Sequence, residues 1–162
     1  MDHEPRTVNV GVISDTHGHL RPEAIRALSG SDIIIHAGDV GSATVLERLR
    51  AMAPTTAVRG NVDGDAWASV LPETDVVNVG DLHFYVIHQA ARLRIDPKRA
   101  GFAAVISGHT HRPRAETRDG VLYLNPGSAG PRRFSLPITV AKIQVTGTHL
   151  SHEIVELTIE TV

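Results

Sequence analysis

Val8-Asn9-Val10-Gly11-Val12-Ile13, followed by Ser14-Asp15-Thr16-His17-Gly18, is a β-branched run that stops on Asp15 and His17, two side-chain types that bind metals. Pro22, with Glu23, Ile25 and Leu28 behind it, predicts a helix directly after that strand. The same pattern returns downstream. Ile33-Ile34-Ile35 leads to His36-Ala37-Gly38-Asp39, and Val45, Leu46, Leu49 and Met52 then recur at helical spacing until Pro54 stops the helix. Thr55-Thr56-Ala57-Val58 ends at Arg59-Gly60-Asn61. Crossovers of about two dozen residues separate Asp15, Asp39 and Asn61, a length that suits βαβ units with parallel neighbours.

The second half changes character. Val76-Val77-Asn78-Val79 and Leu82-His83-Phe84-Tyr85-Val86-Ile87 flank Gly80-Asp81, while Ala115-Glu116-Thr117 and Val121-Leu122-Tyr123-Leu124 flank Arg118-Asp119-Gly120. Both read as hairpins. Ala103-Ala104-Val105-Ile106 is a buried strand between them, preceded by a short helix start at Asp96-Pro97, and a last hairpin turns around Gly147. The expected fold class is α/β: two mixed β-sheets packed face to face with helices outside, in one domain spanning 1–162.

Composition narrows the chemistry. With 162 residues, 41% of them hydrophobic, the chain is long enough for a single core. It has no cysteine, so a metal must be held by oxygen and imidazole. Neither a membrane span nor a basic, apolar leader is evident, and a cytoplasmic location is the expectation. A formal net charge of −2 offers no general attraction to nucleic acid, although Arg112, Arg114, Arg118, Arg132 and Arg133 make the C-terminal half locally basic. Those arginines are read as solvated or as steering a small anionic substrate. Nothing demands a homo-oligomer, though the C-terminal strands offer one a route. Ten histidines against six aromatic residues is the more telling count, because histidine is the commonest metal ligand.

Metal-binding types recur at five strand ends: Asp15 and His17, Asp39, Asn61, His88, and His109 with His111. Open α/β sheets place ligands in the crevice beyond the carboxyl ends of their strands. Asp15-Thr16-His17 and His109-Thr110-His111 each offer donors at i and i+2, which project to one side of an extended segment. Asp39 has two oxygens to share between ions, and Asn61 would add a donor without adding charge.

In order, the blocks Asp15-Thr16-His17, Gly38-Asp39, Gly60-Asn61-Val62-Asp63, His88-Gln89 and Gly108-His109-Thr110-His111 resemble the signature of the calcineurin-like metallophosphoesterases. The short length, together with Ser14-Asp15-Thr16-His17-Gly18 and Asn125-Pro126-Gly127-Ser128, resembles their small bacterial and archaeal phosphodiesterase branch. The resemblance implies a four-layer αββα fold and two divalent metal ions. Asp15, His17, Asp39 and His111 would hold one ion, and Asp39, Asn61, His88 and His109 the other. It further implies hydrolysis of a small phosphate ester by in-line attack of a hydroxide shared between the ions. Mn²⁺ is the expected metal, with Ni²⁺, Fe, Co²⁺ or Zn²⁺ also compatible with the donor set.

Two positions depart from the family pattern. Val62 stands where many members carry a histidine thought to protonate the leaving oxygen, and His19 is the nearest replacement by sequence. Gln89 stands where the H-G block has glycine, which puts the cleft shape and the tilt of His88 in question. His36 is expected to make a buried hydrogen bond behind the site, and His83, His149 and His152 to lie at the surface. Asp63 is read either as an acceptor for His17 or as a turn residue. The competing function is a binding or scaffold protein on the same fold, as in the retromer subunit that resembles this family. No H-x-H-x-D-H cluster, G-x-x-x-x-G-K-[ST] or G-x-G-x-x-G supports the other hydrolase or nucleotide-binding readings.

Overall fold

Alternation along the first strand explains how the layers meet. In the computed structural model, which describes residues 6–159, strand β1 (Thr7–Ile13) sends Val10 and Val12 into a core shared with a second sheet. Its other face meets helix α1 (Pro22–Leu28) at Gly11, where a Cβ would lie 2.8 Å from Leu28 Cδ2. The following strand, β2 (Ile33–His36), divides in the same way: Ile35 faces the inter-sheet core and Ile34 the helices. Helix α2 (Ala43–Met52) buries Val45, Leu46 and Leu49 on that outer face, and Met52 and Trp67 pack against the same cluster.

The first sheet is completed by β3 (Thr55–Ala57), β9 (Thr139–Thr146) and β10 (His149–Glu156), in the order β10-β9-β1-β2-β3. β1, β2 and β3 run parallel, as the crossover lengths predict, and the terminal hairpin joins β1 through antiparallel β9. The second sheet holds β4 (Thr74–Val79), β5 (Leu82–Ile87), β6 (Ala104–Ile106), β7 (Arg114–Arg118) and β8 (Val121–Asn125), in the order β4-β5-β6-β8-β7. Its centre, β5-β6-β8, is parallel, and both expected hairpins sit on its edges. Phe84, Val86, Ala104, Ile106, Leu122 and Leu124 close the inter-sheet core. Truncating the fully buried Phe84 to alanine would cost roughly 3–5 kcal/mol.

The outermost layer on the second sheet is thin. It consists of the 3-10 turn Ala90–Arg92 and a hydrogen-bonded turn over 96–102 that packs Leu93 and Phe102 near Tyr85. The helix start expected at Asp96-Pro97 is only that turn: Ala100 N–H reaches Asp96 O at 3.0 Å and Phe102 N–H reaches Pro97 O at 2.9 Å, after which Gly101 reverses the chain. No described helix is long and apolar enough to cross a membrane.

Candidate metal centre

The strands that feed the site run parallel to one another within each sheet, so β1, β2 and β3 from one sheet and β5 and β6 from the other deliver their C-terminal residues to one seam. Backbone hydrogen bonds stitch that seam. Asp15 N–H donates to Gly38 O at 3.0 Å, His17 N–H to Asp39 O at 3.0 Å, and Gly108 N–H to His88 O at 2.9 Å. Seven described non-glycine residues have positive φ, and five of them are Asp15, His17, Asp39, His109 and His111. Such backbone is costly for residues with a Cβ and persists where surrounding contacts over-determine it. It also turns each side chain back towards the seam instead of along its strand.

The seven predicted donors converge as two groups. Asp15, His17 and His111 bring one donor atom each within 4.8 Å of one another, and Asp39, His88 and His109 do the same. Asp15 Oδ1 lies 3.4 Å from His111 Nε2 and 3.9 Å from His17 Nε2. Asp39 Oδ2 lies 3.2 Å from His88 Nε2 and 3.8 Å from His17 Nε2, which places this carboxylate between the two groups. Asn61 Oδ1 approaches His88 Nε2 at 3.0 Å and His109 Nδ1 at 3.3 Å.

Three features test whether these residues fit metal ions. Asp15 Oδ2 is satisfied by Ser14 Oγ at 2.6 Å and His109 N–H at 3.0 Å, yet its buried Oδ1 has no hydrogen-bond partner. An unpaired buried carboxylate oxygen facing imidazole nitrogens is a cation's place. The Asn61 oxygen likewise points at acceptors; by hydrogen bonding alone the amide would turn over and donate its nitrogen to Asp39 Oδ2 at 3.2 Å. A cation at that corner is what would hold the oxygen inward. Finally, His88 Nδ1 donates to Ala37 O at 2.7 Å, which leaves Nε2 as the outward-facing donor atom. The residues fit.

Titration follows from this crowding. Burial pushes the Asp15 carboxyl up, against hydrogen bonds from Ser14 and His109 N–H and the charges of His88 and His111. Burial acts upwards on Asp39 too, but hydrogen bonds from His88 and Val62 N–H outweigh it and bring the group down to about 2. Burial lowers the His88 ring, and the hydrogen bonds to Asp39 and Ala37 O more than reverse that, so its pKa is raised. His111 is lowered, by burial and by the nearby charges of Arg133 and His17. Arg133 is therefore felt at the site, whereas Arg132 Nη1 donates back to Leu136 O at 3.4 Å.

Around these residues lies a supporting layer. Asp63 does not reach His17; its carboxylate accepts N–H bonds from Val40, Gly41 and Gly60 at 2.9–3.1 Å, tying the Asp39 loop to the Asn61 loop. That is the turn role. His36 is fully buried, with Nδ1 accepting from Gly38 N–H at 3.1 Å and Nε2 donating to Thr16 Oγ1 at 3.0 Å, which in turn donates to Val40 O. Asn125 braces the His109 loop through Gly108 O at 2.9 Å and Thr110 Oγ1 at 3.1 Å, and Ser128 Oγ donates to Asp15 O at 3.0 Å. The bracing by Ser14 and Asn125 was not foreseen from sequence, although both stand inside the quoted blocks. His19 is exposed and its N–H closes a turn on Thr16 O, while His83, His149 and His152 are exposed as expected. Gln89 has φ −111°, so its backbone does not require glycine; its side chain lines both cavities that flank the seam. These cavities measure about 250 Å³ beside His109 and about 520 Å³ beside Asn61 and His88. A further hollow of about 500 Å³, lined by Ser29, Lys142 and His152, touches none of the seven donors.

The family model for the calcineurin-like phosphoesterase superfamily domain matches residues 8–148. The chain belongs to this superfamily. It is 37% identical over 152 residues to a probable metallophosphoesterase of Methanocaldococcus jannaschii, an alignment covering 86% of this chain and 77% of that protein. A solved structure described as a novel archaeal phosphodiesterase superposes with a TM-score of 0.76 at 26% identity, covering 91% of this chain and all of that one. The same architecture is shared with wild-type Vps29 from Entamoeba histolytica complexed with Zn²⁺, at a TM-score of 0.72 and 20% identity, covering 92% of this chain and 99% of that one. The last likeness is one of fold. Two five-stranded mixed sheets with few helices are what this chain shares with the solved structures.

Proposed function

We propose that this member of the calcineurin-like phosphoesterase superfamily is a two-metal phosphodiesterase. Asp15, His17, Asp39 and His111 would hold one divalent ion and Asp39, Asn61, His88 and His109 the other, with Mn²⁺ the preferred metal. Bound together, two such ions supply an activated water and neutralise charge developing on the phosphoryl oxygens. The observation that carries this reading is the position of Asp39, whose carboxylate faces both donor groups while Val62 N–H fixes its other oxygen at 3.0 Å.

The protein's own residues do the positioning. His88 is oriented by Ala37 O, Asp15 by Ser14 and His109 N–H, and the His109 loop by Asn125. Arg133, whose charge reaches His111, would meet a phosphate oxygen of the ester. The Val62 side chain can donate nothing, and His19 is the candidate for any proton that a side chain gives to the leaving oxygen. A scaffold on this fold is the competing reading, and metal binding alone does not separate the two, because the Vps29 structure was solved with Zn²⁺.

Turnover separates them. Metal-reconstituted protein should hydrolyse bis(p-nitrophenyl) phosphate faster than p-nitrophenyl phosphate, and Asp39→Ala should abolish both. Two bound ions with no turnover of either ester would favour the scaffold.

A further inference from the structure

The larger cavity carries a charge pattern that the reading above does not use. Asn61 and His88 form part of its wall, so it opens directly from the proposed metal site. Its other walls bring Arg59, Arg92 and Arg94 against a single acid, Glu73. Glu73 Oε1 sits 3.6 Å from Arg59 Nη2, and no described acidic residue lies within ion-pair distance of Arg92 or Arg94. Two positive charges are left over on a concave wall of a chain whose net charge is −2.

Local geometry aims both arginines there. Arg92 ends the 3-10 turn that follows His88 and Gln89, and Leu93 after it is extended at φ −60° and ψ 125°. Leu93 packs onto the cluster of Ile87, Val105 and Val121, while the residues before and after it, Arg92 and Arg94, both line the cavity, whose floor includes Tyr85 and Ile87 from the edge of that cluster. The smaller cavity differs in degree: of its three arginines, Arg114 pairs with Glu116 at 2.5 Å and Arg118 lies 4.0 Å over the Tyr123 ring, which leaves a single guanidinium, that of Arg112, without a described acidic partner. Guanidinium groups recognise phosphate oxygens through paired N–H donors. A volume of about 520 Å³ also falls within the range of small-molecule sites.

We infer that Arg92 and Arg94 form a second anion subsite, and that the preferred ester carries a second phosphate besides the one hydrolysed. This rests on the phosphodiesterase reading for the scissile phosphate only. The test compares thymidine 5′-(p-nitrophenyl phosphate) with the same ester bearing a 3′-phosphate, on metal-reconstituted full-length protein. The scissile bond and leaving group are identical, so the ratio of the two kcat/KM values isolates the second phosphate.

About a tenfold or larger preference for the 3′-phosphorylated ester is expected, falling to near one in the double variant Arg92→Glu/Arg94→Glu. Because the readout is a ratio, a general loss of activity cancels. A wild-type ratio near one overturns the inference, and so does a preference that survives the double charge reversal. Calorimetric binding of thymidine 3′,5′-bisphosphate and thymidine 5′-monophosphate gives a second readout that needs no turnover, with the same preference and the same loss expected. If no ester is hydrolysed but the bisphosphate preference holds, the subsite stands and the hydrolytic reading falls; hydrolysis without the preference removes the subsite alone.

Discussion

His17 Nε2 and His111 Nε2 face each other at 3.4 Å, with ring centroids 5.3 Å apart. Two imidazoles in this position conflict unless one donates a proton or both share a cation, and Asp15 Oδ1, 3.4 Å from His111 Nε2, adds a third electron-rich atom. A divalent ion relieves all three. Mn²⁺ at a hundredfold its Kd should therefore stabilise the fold by about 2.7 kcal/mol per site and raise the Tm by several degrees, with EDTA reversing the shift. Calorimetry with metal counting should find two ions in the wild type and one in His111→Ala. A Tm indifferent to metal would contradict the assignment.

Gly60 is the tightest point of the Asn61 loop. A Cβ built there would overlap Asp39 Oδ1 and press on the Asp39 backbone, neither of which can withdraw without disturbing the bond from Val62 N–H. Gly60→Ala should fold, because the loop is at the surface of the seam, yet lose metal affinity and at least about tenfold in kcat through displacement of the shared carboxylate. Bound metal and rates, measured beside the Tm, would show the site failing before the fold; full activity would mean that the loop yields.

Much of this was legible in the sequence because strands of one β-branched run each end on a ligand, and chain direction alone then sends Asp15, Asp39 and Asn61 to the same edge. The i, i+2 spacing of His109 and His111 carried the second sheet's contribution. What could not be read was the left-handed backbone at five of the donors, since Asp15, Asp39 and His109 look locally like any turn residue. Nor could the parallel centre of the second sheet, because the β5-to-β6 connection contains no helix, only the two turns over 90–102. Of the five arginines that mark the C-terminal half as basic, Arg114 and Arg118 are held by Glu116 and Tyr123, whereas Arg92 and Arg94, which follow His88 by four and six positions, lie outside that basic stretch. Sequence counts charge; only the fold shows which charges remain unpaired.

His36 makes the fold sensitive to acid. Burial lowers its ring to about 3 from an ordinary 6.5, further helped by the charge of His88 and opposed by Asp39, while its nitrogens are engaged by Thr16 and Gly38 N–H. Between pH 6.5 and 3 the unfolded chain binds a proton there that the folded chain refuses, so stability rises with pH in that window and is lost as pH falls through it, by up to roughly 1.4 kcal/mol per unit. His36→Asn retains a donor and an acceptor but does not titrate. Urea unfolding between pH 7 and 4.5 should show the wild type losing more stability than the variant; a constant difference between them would refute the assignment.

Val62 bears on the choice of ester. Its N–H holds Asp39 Oδ1 at 3.0 Å, a bond that any residue could make, while its side chain is 48% exposed and has no proton to give. General acid help is typically worth about 10²–10⁴-fold, and it matters most when the departing oxygen is a strongly basic alkoxide. Esters with good leaving groups such as p-nitrophenolate should accordingly be cut far faster than alkyl esters, giving a steep dependence of initial rate on leaving-group basicity. Val62→His keeps the backbone bond and has room for a ring in an exposed position, so it should speed alkyl esters by about tenfold or more and flatten the slope, leaving nitrophenyl esters little changed. His19→Ala tests the remaining donor: selective slowing of alkyl esters would assign the proton to His19, and an unchanged slope would show that the leaving oxygen takes its proton from water. A flat slope in the wild type would mean that another group of the seam already supplies the acid, and that the Val62 side chain carries no consequence for the reaction.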